Sequence, residues 1–367
     1  MPTVSDLSAY LEEFAPPGLA AEWDNTGLLL GDPNAPVERI LTCLTLTPDV
    51  VEEAVAERAS LIVSHHPILF RGAKKLTADR GDGSVVWPLA RAGIAVYSPH
   101  TAFDNCIGGI NDILCRRLGL VNVAPLRPRD DSKLFKLAVF VPDTDLAKVS
   151  DAVFGAGAGA IGQYEQCSFR LAGKGTFFGT DSTNPAVGQK GRREDVDEWR
   201  LEVIVLEAKL TAVVKAMRAA HSYEEPAFDV YPLHPGKSGG EGRVGELVQP
   251  ETLGGLAARA KIALNAGYLQ VVGELAKPIR RVAVACGAAG EFLSDAMRVQ
   301  ADVFLTGELR FHDALTARSG RLAVLVPGHY ATERPGIEEL AGKLAADWPA
   351  LTVWASRKEC DPVADFR

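Results

Sequence analysis

Short apolar runs alternate with amphipathic segments along both ends of the chain. In the first part, the apolar runs predict strands at 39–46, 61–64 and 94–98, and the helical periodicity predicts helices at 3–14, 49–59, 84–92 and 108–118. From Gly245 onward the alternation resumes, with predicted helices at 251–263, 290–299, 310–318 and 335–346 and strands at 280–285, 302–305, 321–326 and 351–354. This order is typical of βαβ units that build a parallel sheet.

The middle of the chain has a different pattern. The segment LRPRDD at 126–131 interrupts the alternation with proline and charge. After it, predicted strands at 134–141, 164–171, 199–207 and 228–233 and helices at 143–154 and 210–220 give the order βαββαβ of a ferredoxin-like module. We therefore predict an α/β fold in which two halves, 1–126 and 240–367, form one core. A ferredoxin-like α+β domain at 132–235 is inserted between them, and the glycine-rich segment at 234–247 is a flexible return.

Composition and charge narrow the functional classes. The chain is 47% hydrophobic and 23% charged, as in an ordinary globular protein, and its net charge of −8 comes without a dense basic run. This argues against a nonspecific nucleic-acid binder. There is no apolar run long enough to cross a bilayer, so we expect a cytoplasmic protein without a membrane partner. The six cysteines form no C-x-x-C pair, which argues against a thiolate zinc site or a redox motif.

Side chains of the kinds that bind metals follow four predicted strands. Ligands of open α/β sheets collect at the carboxyl ends of the strands, and in this sequence those positions hold His65 and His66, His100 and Asp104, Glu308, and His329 and Glu333. Histidine nitrogens and carboxylate oxygens together suit Zn, Mn or Fe. The sequence therefore predicts a metal site at this edge.

His329 and Glu333 are four residues apart. If a helix begins near Ala331, both side chains lie on one side of its first turn, and Glu333 can bridge two ions. Each of these candidate ligands, considered alone, has a simpler explanation. His65 and His66 could be ordinary polar loop residues, and Asp104 could cap a helix. Their coincidence at one sheet edge favours a two-metal site with ligands His65, His66, Asp104, His329 and Glu333.

The same residues lie in motifs that resemble the Nif-three-like family, whose bacterial members are commonly named GTP cyclohydrolase I type 2 homologues. The motifs are EWDNTGLLLGD at 22–32, SHHP at 64–67, HTAFDN at 100–105, TGELRFHDAL at 306–315 and GHYATERPGIEEL at 328–340. The resemblance implies two divalent ions per chain on His65, His66, Asp104, His329 and Glu333. It also implies a toroidal homohexamer, and an inserted module related to PII and CutA proteins, indicated by YEEPAFDVY at 223–231.

Two functional classes remain open from the sequence. In the first, the protein is a metal-dependent hydrolase of the GTP cyclohydrolase kind, which attacks a carbon of a purine nucleotide while Glu308 or His100 moves protons. In the second, it is a non-catalytic metal-binding or regulatory protein that senses a small ligand through the inserted domain. A base-specific pocket would favour the first class, and the sequence alone identifies none.

Overall fold

The computed structural model describes residues 1–128, 134–161, 164–233 and 239–363. Internal contacts divide the chain into two units. The core unit comprises Met1–Pro128 and Gly239–Arg367, and the inserted unit comprises Arg129–Ser238. Each unit has its own sheets and its own buried apolar cluster.

The elements are numbered in chain order. The helices are α1 (Val4–Phe14), α2 (Pro48–Ala56), α3 (Asp82–Ala92), α4 (His100–Asn105), α5 (Ile110–Arg117), α6 (Leu146–Gly155), α7 (Glu207–Ala220), α8 (Leu253–Ala263), α9 (Leu293–Arg298), α10 (Phe311–Ser319) and α11 (His329–Asp347). The strands are β1 (Gly27–Leu30), β2 (Arg39–Cys43), β3 (Leu61–Ser64), β4 (Ala95–Ser98), β5 (Leu120–Pro128), β6 (Leu134–Pro142), β7 (Ser168–Phe178), β8 (Arg193–Leu206), β9 (Phe228–Pro232), β10 (Gly240–Thr252), β11 (Gln270–Val272), β12 (Pro278–Ala285), β13 (Val303–Thr306), β14 (Ala323–Val326) and β15 (Thr352–Ala355).

The first sheet of the core unit has the order β1-β4-β3-β2-β15. Strands β4, β3, β2 and β15 are parallel, and β1 is antiparallel to β4. All four residues of β3 are buried. A parallel strand covered on both faces favours such a continuous apolar run, which explains why the segment at 61–64 was recognisable from the sequence.

The second sheet has the order β11-β14-β13-β12-β10-β5. Its centre, β12 to β14, is parallel. The flanking strands β10 and β11 are antiparallel to this centre, and β5 pairs antiparallel with β10. Each half of the chain contributes one strand to the sheet of the other half. Strand β5 from the first half pairs with β10, and β15 from the second half pairs with β2.

One buried apolar cluster draws on both halves of the core unit. It includes Leu7 and Phe103 from the first half and Leu305 and Leu340 from the second. An ion pair also joins the halves: Arg243 on β10 is only 3% exposed and donates to Oδ1 of the partly buried Asp112 on α5 at 2.5 Å. A buried guanidinium is tolerated only when its donors are paired, so this contact fixes β10 against α5.

The inserted unit consists of a four-stranded antiparallel sheet in the order β7-β8-β6-β9. Along the chain its elements follow the order β6, α6, β7, β8, α7, β9. Helices α6 and α7 pack on one face, where Leu137, Val149, Val203 and Met217 are buried together.

Most predicted elements are present within a few residues, but β1, α4, β5 and β11 were not predicted. Two predicted regions also differ. The segment at 234–247, predicted as a flexible return, contains the first part of β10, a 13-residue strand paired on both sides. Residues 234–238 of that segment lie outside the described part. Helix α11 begins at His329, earlier than the predicted 335, and contains Pro335 in its interior. Among the described residues, no helix is both long and apolar enough to span a membrane.

The pairing of β5 with β10 generates a prediction about the inserted unit. Pro128 and Gly240 are directly opposite each other in this pair, so a short loop can join the two strands. Replacing residues 129–238 by Asn-Gly leaves a three-residue hairpin loop that ends in Gly239, a common loop for this geometry. We expect this variant to be soluble, to give the circular dichroism of an α/β protein and to bind metal. An insoluble or metal-free product would contradict the separation of the two units.

Candidate metal centre

Five side chains predicted from the sequence lie together at the carboxyl ends of the two core sheets. We call His65, His66, Asp104, His329 and Glu333 the ligand cluster. The first two follow β3, and Asp104 lies on α4 just after β4. The other two lie on the first turns of α11, after β14. Each sheet therefore contributes ligand-type residues to one point between the halves of the core unit.

Glu333 lies at the centre of the ligand cluster. Its Oε2 is 3.1 Å from Nε2 of His66 and 3.0 Å from Nε2 of His329, and its Oε1 is 3.9 Å from Nε2 of His65. Oδ1 of Asp104 lies 3.6 Å from the same nitrogen of His65. Three imidazoles and two carboxylates thus face one small volume. One oxygen of Glu333 faces His65, and the other faces His66 and His329.

His65 is the clearest indication that a cation belongs here. Its side chain is fully buried, and both ring nitrogens lack a hydrogen-bond partner among the described residues. Burial holds the pKa of His65 well below its usual value, so the ring is neutral and offers a lone pair. A buried polar atom without a partner costs free energy, and a metal ion would satisfy it. The donor set therefore fits a divalent ion.

The titration behaviour of the ligand cluster reflects two buried carboxylates in contact with imidazoles. Burial would raise the pKa of Glu333, but its close contacts with His329 and His66 outweigh burial and hold the pKa below its usual range. Burial and the nearby Glu333 charge raise the pKa of Asp104. Burial alone would lower the pKa of His329, yet its contacts with Glu333 and Glu308 raise it to about 9. A proton on His329 thus offsets part of the carboxylate charge.

Two ligand-type histidines are oriented by partners on their other ring nitrogen. Nδ1 of His329 donates to Oε1 of Glu308 at 2.6 Å, which leaves Nε2 facing the ligand cluster. Nδ1 of His66 is hydrogen-bonded to the Thr45 hydroxyl at 2.7 Å, which again leaves Nε2 facing the ligand cluster. Outer contacts of this kind fix the tautomer and ring orientation of histidines that bind metals. Glu308, predicted as a proton carrier, therefore contacts a ligand-type residue.

His100, the other predicted proton carrier, lies beside the ligand cluster. Its Nδ1 donates to Oδ1 of Asp24 at 2.6 Å, and its ring centre is 5.2 Å from that of His65 and 5.7 Å from that of His66. Burial would lower the pKa of His100, but the hydrogen bond to Asp24 raises it. The backbone of His100 has a φ of +31°, a strained value for a non-glycine residue. Such strain is concentrated at functional sites.

A glycine makes room for the central carboxylate. A Cβ added at Gly287 would lie 2.2 Å from Oε1 of Glu333, and φ there is +63°, which disfavours any other residue. The adjacent Cys286 donates from Sγ to Oδ1 of Asp104 at 3.1 Å, and burial raises the pKa of its thiol.

Three contributors were not identified from the sequence: Asp24, Thr45 and Cys286. Asp24 lies 76 positions from His100 along the chain, and no local pattern links them. Thr45 follows β2, whose carboxyl end lies at the same edge as that of β3. Extending the search for polar residues at strand ends to β2 would have found Thr45. Cys286 belongs to no C-x-x-C pair, so no local pattern marks it.

Comparisons with known proteins agree with this architecture. A GTP cyclohydrolase 1 type 2 homolog from Halalkalibacterium halodurans is 39% identical over 355 residues, which cover 96% of this chain and 95% of that protein. The homolog of the same name from Bacillus subtilis is 38% identical over 322 residues, 87% of this chain and 86% of that protein.

Solved structures match over the full length. A Bacillus cereus protein related to NIF3 is 35% identical with a TM-score of 0.72, and covers 100% of this chain and 99% of its own. A Staphylococcus aureus protein is 28% identical with a TM-score of 0.76, at the same coverage. The family model described as Duf34/NIF3 (NGG1p interacting factor 3) matches residues 2–362. This chain belongs to the Duf34/NIF3 family.

Proposed function

We propose that this protein binds two divalent metal ions in the ligand cluster and uses them to hydrolyse a ring of a purine nucleotide. The observation that supports this most strongly is His65, whose two buried ring nitrogens have no partner among the described residues. A second ion is supported by the shape of the cluster. Glu333 faces His65 with one oxygen and the pair His66 and His329 with the other, which is the arrangement expected of a bridging carboxylate.

The metal ions would be held by residues from both sheets. Asp104 and His65 would bind one ion, His66 and His329 the other, and Glu333 would contact both. Nitrogen and oxygen donors without thiolates suit Zn, Mn or Fe. When bound, such a pair supplies Lewis acidity and an activated water.

The chain's own residues perform the remaining tasks. Glu308 and Thr45 hold the two histidines with Nε2 toward the cluster. His100 has Nδ1 occupied by Asp24, so its Nε2 is the atom that would take or give a proton in the cavity. We assign proton transfer to His100, and to Glu308 a positioning role through His329. The purine nucleotide is suggested by the names of the Halalkalibacterium halodurans and Bacillus subtilis relatives.

A non-catalytic, regulatory metal-binding role is the second candidate, and the inserted unit favours it. The strand order β7-β8-β6-β9 is that of a ferredoxin-like domain, and we propose this identity for it. A cavity of about 830 Å³ lies within the unit, lined in part by Phe140, Phe177, Arg200 and Tyr223. That volume is sufficient for a small ligand. The toroidal homohexamer stays a prediction that sedimentation analysis can test.

The first prediction of this proposal concerns metal content. Purified protein should contain close to two divalent ions per chain, or take them up on addition, because the ligand cluster offers five donors. Replacing His66 and Glu333 together by Ala should remove nearly all bound metal, as measured by elemental analysis. The isosteric change Glu333→Gln in place of Ala separates loss of ligand charge from loss of packing.

His312→Ala is the matched control for metal content. His312 is exposed on α10 and lies outside the cluster, so this variant should keep its metal. Circular dichroism verifies that every variant is folded. Undiminished metal in the folded double variant would refute the ligand assignment.

The second prediction separates the two candidate functions. If the protein is an enzyme, metal-replete wild type should turn over GTP faster than free metal does. His100→Asn should keep both ions, but turnover should fall by about 10²- to 10⁴-fold, the usual effect of losing a general acid or base. Glu308→Gln should instead weaken metal affinity, by about 10- to 100-fold, because it changes the group that orients His329.

Turnover and metal content must be measured on the same samples. A metal-replete wild type without GTP turnover above the metal-only control would reject the cyclohydrolase activity and leave the regulatory role. Loss of an ion in His100→Asn would make His100 a metal ligand, which its closeness to the ligand atoms of His65 and His66, within 4.8 Å, permits.

A further inference from the structure

A cavity of about 500 Å³ opens directly onto the ligand cluster. His66, Asp104, His329 and Glu333 form its floor, and all of its lining residues belong to the core unit. Its volume lies within the usual range for small-molecule sites. The chemistry of its walls therefore indicates what kind of molecule can approach the cluster.

One wall of the cavity is aromatic. Trp23 and Phe70 lie with ring centres 5.8 Å apart, and both are within about 6 Å of the His100 ring, at 6.1 and 6.3 Å. Although Trp23 is a large apolar side chain, it is 62% exposed, and Phe70 is 45% exposed. Neither ring belongs to a buried apolar cluster of the core unit. Their free faces therefore line the approach to the cluster.

The two rings are positioned by polar contacts beneath them. Nδ2 of Asn25, two residues after Trp23, donates to the carbonyl of Leu69 at 3.1 Å, and this joins the segments that bear the two rings. The intervening Asp24 accepts hydrogen bonds from His100 and from the backbone N–H of Thr101. The aromatic wall is thus fixed to the same residues that orient His100.

The charged groups of the cavity do not suit a polyphosphate. Among the described residues that line it, there is no lysine or arginine, whereas Glu241 and Glu291 are present. Arg127 is near the cavity, but its guanidinium pairs with Asp295 at 2.6 Å and with Glu241 at 3.1 Å. Arg71, next to Phe70, is not a lining residue. Protein sites for phosphate generally use such cations or helix N-termini.

Building on the proposed function, we infer that this site recognises a planar heteroaromatic ring through Trp23 and Phe70, and that phosphate groups contribute little to its binding. A ring that is to react at the cluster must lie on the cavity floor. Any phosphates attached to it then extend away from the cluster, past a lining whose described residues include Glu241 and Glu291 but no lysine or arginine. Guanosine, GMP and GTP should therefore bind with similar affinity.

The test measures binding, with no dependence on turnover. Metal-replete full-length protein is titrated calorimetrically with guanosine, GMP and GTP at low and high salt. We expect dissociation constants within about threefold of one another and little salt dependence, because few charge contacts form. Trp23→Ala and Phe70→Ala should each weaken guanosine binding by about tenfold or more, the usual effect of removing a stacking partner.

Conservative and remote variants exclude a merely structural effect. Trp23→Phe keeps an aromatic face and should restore most of the affinity that Trp23→Ala loses. Trp87→Ala removes a half-exposed tryptophan on α3, outside the cavity, and should bind like wild type. Metal content is determined for each variant, so a loss of affinity at unchanged metal is assigned to the ring contact.

Several outcomes would overturn the inference. GTP binding ten times tighter than guanosine, with a steep salt dependence, would show that phosphates dominate. Unchanged guanosine affinity in both alanine variants, or no binding of any of the three compounds by metal-replete protein, would also refute it. Binding as expected without turnover would support the inference while rejecting the hydrolase function, so the two failures are distinguishable.

Discussion

The architecture of the core unit depends on the burial of one carboxylate, that of Glu333. An isolated buried charge is too costly to persist, so the surrounding structure must bring compensating groups to it. Histidines after β3 approach from one sheet and His329 approaches from its own helix. Gly287 leaves the space that the carboxylate occupies. Because these groups come from both sheets, the pairing of the two halves and the ligand cluster are specified together.

The contacts around the cluster form an ordered outer layer. Glu308 orients His329, Thr45 orients His66, and Asp24 orients His100. These partners fix ring orientations in the protein alone, so the proposed binding of ions or of a ring-shaped ligand would need little reorganisation. Asp24 has a double role, since it also lies between Trp23 and Asn25 in the segment that bears the aromatic wall. The orientation of His100 and the position of the aromatic wall are therefore coupled through one loop.

The sequence revealed those features that depend on local pattern. Buried parallel strands such as β3 are continuous apolar runs, and ligand-type residues follow them at once. Strand β10 was missed because its glycines resemble a linker and its pairing with β5 and β12 depends on partners far along the chain. The bond from His100 to Asp24 was missed for the same reason. The residue types at the strand ends predicted the ligand cluster. The orientation of the histidine rings, the backbone strain at His100 and the aromatic wall of the cavity became visible only in the structure.

The exchange of strands between the halves has a consequence for biosynthesis. Strand β2 emerges early from the ribosome, but one of its neighbours is β15, near the end of the chain. Until that strand is made, the backbone edge of β2 around Ile40 is unpaired, and unpaired edges promote association between chains. Contacts so distant in sequence also slow folding. The edge of β2 therefore stays open in nascent chains until β15 has been synthesised.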